Sequence, residues 1–282
     1  MMNQQVIVRD VQTENKKPWS FEEAVGFMNF PLLHGVTRRF GGYSKAPYDS
    51  MNLGLHVEDE VEDVWKNRKL VAAHLGQPVE RLTCGQQVHG LVAKEVRPQL
   101  VGKGALNMDS AISNCDALYT AERQVPLLLL VADCVPVLLY DKGNHAVAVI
   151  HAGWRGTIGR LPVITLNKMV EAYGTQPEDC YVYIGPSIQQ ESFEVGEDIA
   201  QCFSEAMPKE RDLVRLIKRP GAVKKTPHVN LQQFISKSFL NMGVPMQQIT
   251  VSPTDSYTSY GCYSYRKAGG VTGRMGLFCM LK

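Results

Sequence analysis

Three short passages carry side chains able to bind a metal: GQQVHG with His89, VADCVP with Cys134 and IHAGWRG with His151. Each lies beside a run of apolar residues that reads as a buried strand. Two imidazoles and a thiolate suit zinc, which is borderline-soft, takes N and S donors and prefers four ligands. Three protein donors leave the fourth position for water or substrate, as in catalytic zinc sites, where the pKa of bound water falls to about 7. Asp133 precedes Cys134 inside VPLLLLVADCVPVLLY (125–140). An unpaired carboxylate buried there would cost several kcal/mol. As a hydrogen-bond partner of the site or a proton carrier, Asp133 has a reason to interrupt the run. Taken alone, a cysteine in an apolar run reads equally as a small buried hydrophobe. The three separations are long and irregular, so spacing by itself does not diagnose a site.

The elements that must position these residues follow from pattern. Strands are predicted for VIVRD, VHGLVAKEV, DALYT, VPLLLLVAD, VPVLLYD, HAVAVIHAG, CYVYIG and GLFCML. Cys134 is expected at the turn joining two adjacent strands and His151 at the end of the next. If those strands pair, the two meet at one sheet end, and His89 joins them from another strand. Helices fit EDEVEDVWKNRKLVAAHLGQP, with Val61, Val64, Trp65 and Val71 on one face and Gly76 and Pro78 closing it. Further helices fit GRLPVITLNKMVEAYG, EDIAQCFSEAM and NLQQFISKSFLNMG, with Pro162 in a first turn and Asn230 as an N-cap. After the first strand, the remainder of residues 1–30 reads as a polar connection. Strands that follow one another without a helix exclude a strict βαβ alternation. One α+β domain over 1–282 is the economical reading, with 1–30 as a partly independent N-terminal extension.

Composition narrows the partners. The 282 residues are 44% hydrophobic and 21% charged with a net charge of +2, a globular balance. No basic block recurs, and KRPGAVKK (218–225) reads as a solvated loop. No nucleic acid, membrane or obligate protein partner is indicated. The start of the chain lacks a signal-peptide layout, and seven scattered cysteines without C-x-x-C argue against a disulfide framework. A cytoplasmic protein with reduced thiols is expected.

The wording of the motifs says more. TRRFGGYSKAPYDSMNLGLHVED, QQVHG, CDALYT, ADCVPVLLYD, HAGWRGT, IGPSI, FEVGED and CYSYRKAGGVTGRMG occur in order. Together they resemble the laccase-domain family, also called multicopper polyphenol oxidase-like, over nearly the whole chain from about His34. Bacterial members and an animal macrophage relative are described as zinc-dependent purine nucleoside enzymes. The resemblance implies stacked mixed β-sheets with outer helices, and a catalytic zinc on His89, Cys134 and His151. It implies phosphorolysis of adenosine, inosine, guanosine and methylthioadenosine to base and ribose 1-phosphate, and deamination of adenosine to inosine. Purine nucleosides and inorganic phosphate would be the partners. Copper is a possible substitute, because a His/His/Cys site accepts it and often binds it more tightly. Thr254, in SPTDSYTS, departs from a Cys-Thr pair expected in many members, leaving a site role for that loop open. Multicopper oxidation itself is disfavoured, since no two of the seven histidines are spaced as H-x-H.

Phosphorolysis asks for an anion site, stabilisation of the departing purine and a pocket that excludes water. Arg39 in RFGGYS is the first candidate for phosphate, with Gly41 and Gly42 letting backbone N–H groups approach. A hairpin turn with an exposed arginine is the competing reading. Ser44 and Asn52 can add neutral hydrogen bonds, and Arg155 either binds phosphate or opens the next helix. Trp154 can stack on a purine or plug the core. Arg266 and Arg274 flank the glycine-rich KAGGVTG, a weak phosphate-loop candidate. Deamination asks for a carboxylate to move a proton, Asp133 or else Asp116. Two rival readings are a cysteine hydrolase or cell-wall amidase using Cys134 as nucleophile, and a non-catalytic protein whose zinc is closed by His34, Cys84 or Cys115.

Overall fold

A computed structural model describes residues 5–13, 16–219, 221 and 223–282. Two sheets stack face to face and carry helices on their outer sides. The first is antiparallel, with strands β1 (Val6–Thr13), β2 (Lys16–Ala24), β3 (Leu32–Thr37), β13 (Met275–Leu281) and β6 (Leu127–Val131) side by side in that order. The second is mixed and runs β12 (Ile249–Val251), β9 (Cys180–Ile184), β7 (Val135–Asp141), β8 (Ala146–Ala152), β5 (Ala117–Thr120), β4 (Ala93–Glu95). Its two outer pairs, β12 with β9 and β4 with β5, are parallel and the rest antiparallel. A small ribbon of β10 (Val214–Ile217) and β11 (Thr226–Val229) stands apart.

Burial on both faces explains the unbroken aliphatic runs. Leu127, Leu129 and Val131 of β6 pack with Leu138 and Tyr140 of β7 and Val147 and Val149 of β8 between the sheets. On the outer face of the mixed sheet, Val135, Val137, Ala148 and Ile150 meet Leu166 and Met169 of α3 (Leu161–Tyr173) and Phe234 and Phe239 of α5 (Leu231–Asn241). Phe203 of α4 (Glu197–Ala206) joins them. On the outer face of the antiparallel sheet, Phe21, Leu128, Leu130 and Phe278 meet Val71 and Ala72 of α1 (Val61–His74). Each valine, leucine, isoleucine, methionine or phenylalanine among them contributes about 1.5–3 kcal/mol by leaving water.

The helix signals act as expected at their ends. Pro162 lies in the first turn of α3, and Gly174 ends it in the left-handed region. Asn230 caps α5 by accepting the Gln233 N–H. Four expectations need correcting. Val61 and Trp65 are exposed rather than sharing the buried face of Val64 and Val71. The expected polar connection contains β2, whose Trp19 and Phe21 are fully buried. VHGLVAKEV holds only the three-residue strand β4, and His89 precedes it on a loop. Strands β6 and β7 do not pair but belong to different sheets, so Cys134 marks a crossing between sheets rather than a hairpin turn. Pro220 and Ala222 of KRPGAVKK lie outside the described residues.

Candidate active site

Strand parity and register place two of the three donors. In the β7–β8 pair Pro136 lies opposite His151 and Val135 opposite Ala152. His151 shares the inter-sheet parity of Val147 and Val149, so its ring enters the space between the sheets at their common end. Cys134 immediately precedes β7 at that end. His89 arrives on a loop docked to the other sheet: the Gln87 amide donates to the Leu130 carbonyl (2.7 Å) and accepts its N–H (2.8 Å). The donor atoms of His89, Cys134 and His151 lie within 4.8 Å of one another, with His89 exposed, Cys134 intermediate and His151 buried.

Asp116, just before β5, holds two of these residues together. Its Oδ1 accepts from His151 Nδ1 (2.8 Å) and the His89 N–H (2.9 Å). Its Oδ2 accepts from the N–H groups of Val88 (3.1 Å) and Gly90 (2.8 Å). These bonds fix the His151 ring and clamp a loop in which His89 takes φ +58°, an uncommon backbone state that clusters at functional sites. Burial opposes the Asp116 charge, yet the hydrogen bonds from His151 and the loop amides hold its carboxyl below the usual range. With both oxygens saturated, Asp116 is a positioning group rather than the proton carrier considered above.

The thiol and imidazole form a charged pair. Burial would push the Cys134 thiol up, but the His151 charge and hydrogen bonds from His151 and His89 bring it down to about 6. Burial would lower His151, but Cys134 and the Asp116 hydrogen bond raise it to about 9. A thiolate beside an imidazole whose Nδ1 is engaged by a carboxylate is a donor set that fits zinc. Space is kept for the donors by Gly153: a Cβ there would stand 3.0 Å from Cys134 Sγ and 3.0 Å from His89 Cδ2. Among the described residues, none of His34, Cys84 and Cys115 joins the cluster. His34 Nε2 accepts the Ala24 N–H in the core, and Cys84 lies beside Arg68.

Asp133 also occupies the left-handed region, with φ +82°. Its carboxylate is compensated by the hydroxyls of Ser256 (2.6 Å) and Ser264 (3.0 Å) and the Arg266 N–H (2.7 Å). These bonds tie the sheet crossing to the C-terminal loops. The cluster opens into a cavity of about 620 Å³ lined by His56, Gln86, Met108, Asp133, Tyr265 and Arg274, among others. A smaller cavity of about 170 Å³ shares His89, Asp133 and Cys134 with it and is also lined by Trp154, Arg155, Phe193 and Leu231. Trp154 and Arg155 open the short helix α2 (Trp154–Ile158), and the Arg155 guanidinium lies 4.5 Å from the Trp154 ring centroid.

The arginine–glycine loop proposed for phosphate does not line either cavity. Arg39 donates to the Asp49 carbonyl (2.7 Å) and carboxylate (2.9 Å). Gly42 is required because a Cβ would approach the Ser50 carbonyl to 2.2 Å. Ser44 and Asn52 are buried; Ser44 accepts from Asn67, and the Asn67 amide also donates to the Asn52 carbonyl. These residues build the loop rather than a binding surface. Thr254 likewise is structural: it and Tyr183 both donate to the buried Glu22, linking the sheets. Residues that pattern reasoning underweighted are Arg274 and His56. The available signal was a charged residue at the very start of the apolar run of β13; nothing in the sequence singles out His56.

Comparison with known proteins agrees with this architecture. Residues 33–282 match the family described as "Multi-copper polyphenol oxidoreductase laccase", and the chain belongs to that family. It is similar to "Purine nucleoside phosphorylase YlmD" of Bacillus subtilis, 33% identical over 90% of each chain. It is 34% identical to "Purine nucleoside phosphorylase" of Bacteroides thetaiotaomicron, over 93% of this chain and 96% of that one. The crystal structure of YlmD from Geobacillus stearothermophilus superimposes with a TM-score of 0.85 at 32% identity, covering 97% and 98% of the two chains. Family membership places the chain among proteins whose relatives include ones named purine nucleoside phosphorylase, and its His89, Cys134 and His151 cluster is one that could hold a metal ion. The family's descriptive name does not extend to a multicopper cluster in this chain: His34, His74, His145 and His228 all engage groups elsewhere. No helix of the described residues is long and apolar enough to cross a membrane.

Proposed function

We propose that the protein is a zinc-dependent purine nucleoside phosphorylase acting on adenosine, inosine, guanosine and methylthioadenosine, and that the same site deaminates adenosine. The observation that carries the reading is the open three-donor cluster, His89, Cys134 and His151, facing a cavity large enough for a nucleoside. In phosphorolysis a phosphate oxygen bonds to the anomeric carbon while the glycosidic C–N bond breaks and the purine leaves with the electron pair. Zinc on these donors would supply Lewis-acid stabilisation of developing negative charge. Asp116 keeps His151 presenting Nε2 and His89 at its loop position. Asp133 lines both cavities, and its Oδ1 accepts a single hydrogen bond from a side chain, from Ser256. A carboxylate oxygen has a second lone pair, so Asp133 is the group assigned to carry the proton in deamination.

The test is chromatography of adenosine incubated with the purified protein, with and without phosphate and with a chelator. Adenine should form only with phosphate, inosine with or without it, and both should vanish with the chelator and return with zinc. Cys134→Ala should abolish both activities and the bound metal together; loss of one alone breaks the shared-site assignment. The low thiol pKa beside His151 favours one rival, a metal-free cysteine nucleophile. Activity that survives chelation but is lost on alkylation of Cys134 would select that rival.

A further inference from the structure

Five arginines stand in or near the site region, and their existing partners separate them. Arg39 is paired with Asp49. Arg266 donates to the Glu194 carbonyl and lies over Phe193. Arg155 lies over Trp154 beside the smaller cavity. Arg68 is fully buried and donates to the carbonyls of Leu53, Gly104 and Ala105. Arg266 and Arg274 both line the larger cavity with Nε and Nη2 making no hydrogen bond to the described residues and no carboxylate paired with them. Arg266 is exposed, whereas Arg274 is half-buried, its guanidinium 5.5 Å from the Tyr265 ring centroid.

Arg274 is also held firmly. Its N–H donates to Asn52 Oδ1 (2.8 Å), and its carbonyl accepts the Leu53 N–H (3.1 Å). Its Nη1 donates to the Thr272 carbonyl (2.6 Å), and its stem packs on Gly54, where a Cβ would stand 2.8 Å from Arg274 Cγ. Asn52 is fixed in turn by Asp59 (2.8 Å). Two residues beyond Gly54, His56 lines the same cavity, exposed, with no hydrogen bond to the described residues. A positively charged fork and an uncommitted imidazole lining the same cavity as the cluster make a recognisable anion seat.

We propose that Arg274 and His56 form the inorganic phosphate subsite, with Asn52 and Gly54 positioning Arg274. This rests on the phosphorylase reading. Arg274 grips phosphate through Nε and Nη2, and His56 contributes one N–H. Desolvation within the cavity, and then the charges of Arg274, Arg68 and His151, hold His56 below its usual range, so at neutral pH it binds as a neutral donor and does not repel its arginine neighbour. The asparagine and glycine of the NLGLH segment thus act through Arg274 rather than on substrate.

The experiment measures KM for phosphate and for inosine separately in the zinc-loaded wild type, Arg274→Gln, His56→Ala and Arg39→Gln. Phosphate binding to the same proteins is followed by calorimetry, and thermal unfolding reports folding. Losing charged hydrogen bonds should raise the phosphate KM of Arg274→Gln roughly tenfold or more, and that of His56→Ala severalfold, with the inosine KM moving less than about threefold. His56 has no internal hydrogen bond to lose, so His56→Ala tests the seat even if Arg274→Gln folds poorly. A phosphate KM unchanged in His56→Ala and in folded Arg274→Gln, or raised instead in Arg39→Gln, overturns the assignment. If the wild type forms no phosphate-dependent product, the phosphorylase reading fails on its own. Calorimetry then decides the seat: phosphate binding weakened in Arg274→Gln sustains it, and equal binding overturns it.

Discussion

Replacing Asp116 by Asn tests whether the cluster depends on the group behind it. The side chain keeps its size but exchanges one oxygen for an NH2. Each Asp116 oxygen accepts two hydrogen bonds, Oδ1 from His151 and His89 and Oδ2 from Val88 and Gly90. Whichever way the amide turns, two donors face another donor. An unsatisfied buried group costs about 1–3 kcal/mol, so the pair costs about 2–6 kcal/mol, with relaxation leaving about 3 kcal/mol. For a chain of this size that lowers Tm by about 5–10 °C in the metal-free protein. Loss of the carboxylate on His151 Nδ1 should weaken metal binding a further 10- to 100-fold, on the order measured for such partners. Competition against a chromophoric zinc chelator reads the affinity, and phosphorolysis at limiting zinc should fall in parallel. Unchanged zinc affinity in a variant that shows the Tm loss would refute the positioning role, because stability and chelation would then be separable.

Two further outcomes are expected. Gly153→Ala should leave the metal-free fold near wild-type stability, since its φ of −69° suits alanine, while displacing Cys134 and His89; chelator competition should show weakened zinc binding. His34 is held neutral, down to about 3 by burial, so the unfolded chain binds the proton first as pH falls below 6.5. Stability should therefore be present above pH 6.5 and decline as the pH falls toward 3, by about 2 kcal/mol between pH 6.5 and 4.5. Denaturant titrations should show this acid limb flattened in His34→Gln; identical limbs would exclude His34 as its source.

Much of the fold was legible because burial on both sheet faces writes itself as unbroken aliphatic runs, as in β6, β7 and β8. Helix ends were legible where a residue has one physical reason to be there, such as Asn230 or Gly174. Strand β2 was hidden because Trp19 and Phe21 alternate within a lysine- and glutamate-rich stretch, and three residues cannot announce β4. The apolar runs on either side of Cys134 carried no sign that they enter different sheets. Among site residues, the polar interruptions at strand ends were informative: Asp133, Cys134 and His151 do come together. Arg39 misled because a glycine-flanked arginine looks free in sequence, whereas its partner Asp49 lies ten residues on, across the loop. Arg274 carries a similar strand-end signal to His151, but the KAGGVTG segment it flanks lacks the phosphate-loop pattern and so marks it only weakly.

The sheet crossing at Asp133 and Cys134 has a mechanical consequence. A hairpin would let the thiol ride with a single slab of the molecule. Here it straddles a seam, its neighbour Asp133 fastened through Ser256, Ser264 and the Arg266 amide, with His151 on one slab and the His89 loop bonded to both. Sliding of the slabs past each other is therefore transmitted to the spacing of the three donors, and no linear excerpt of the chain can imitate them.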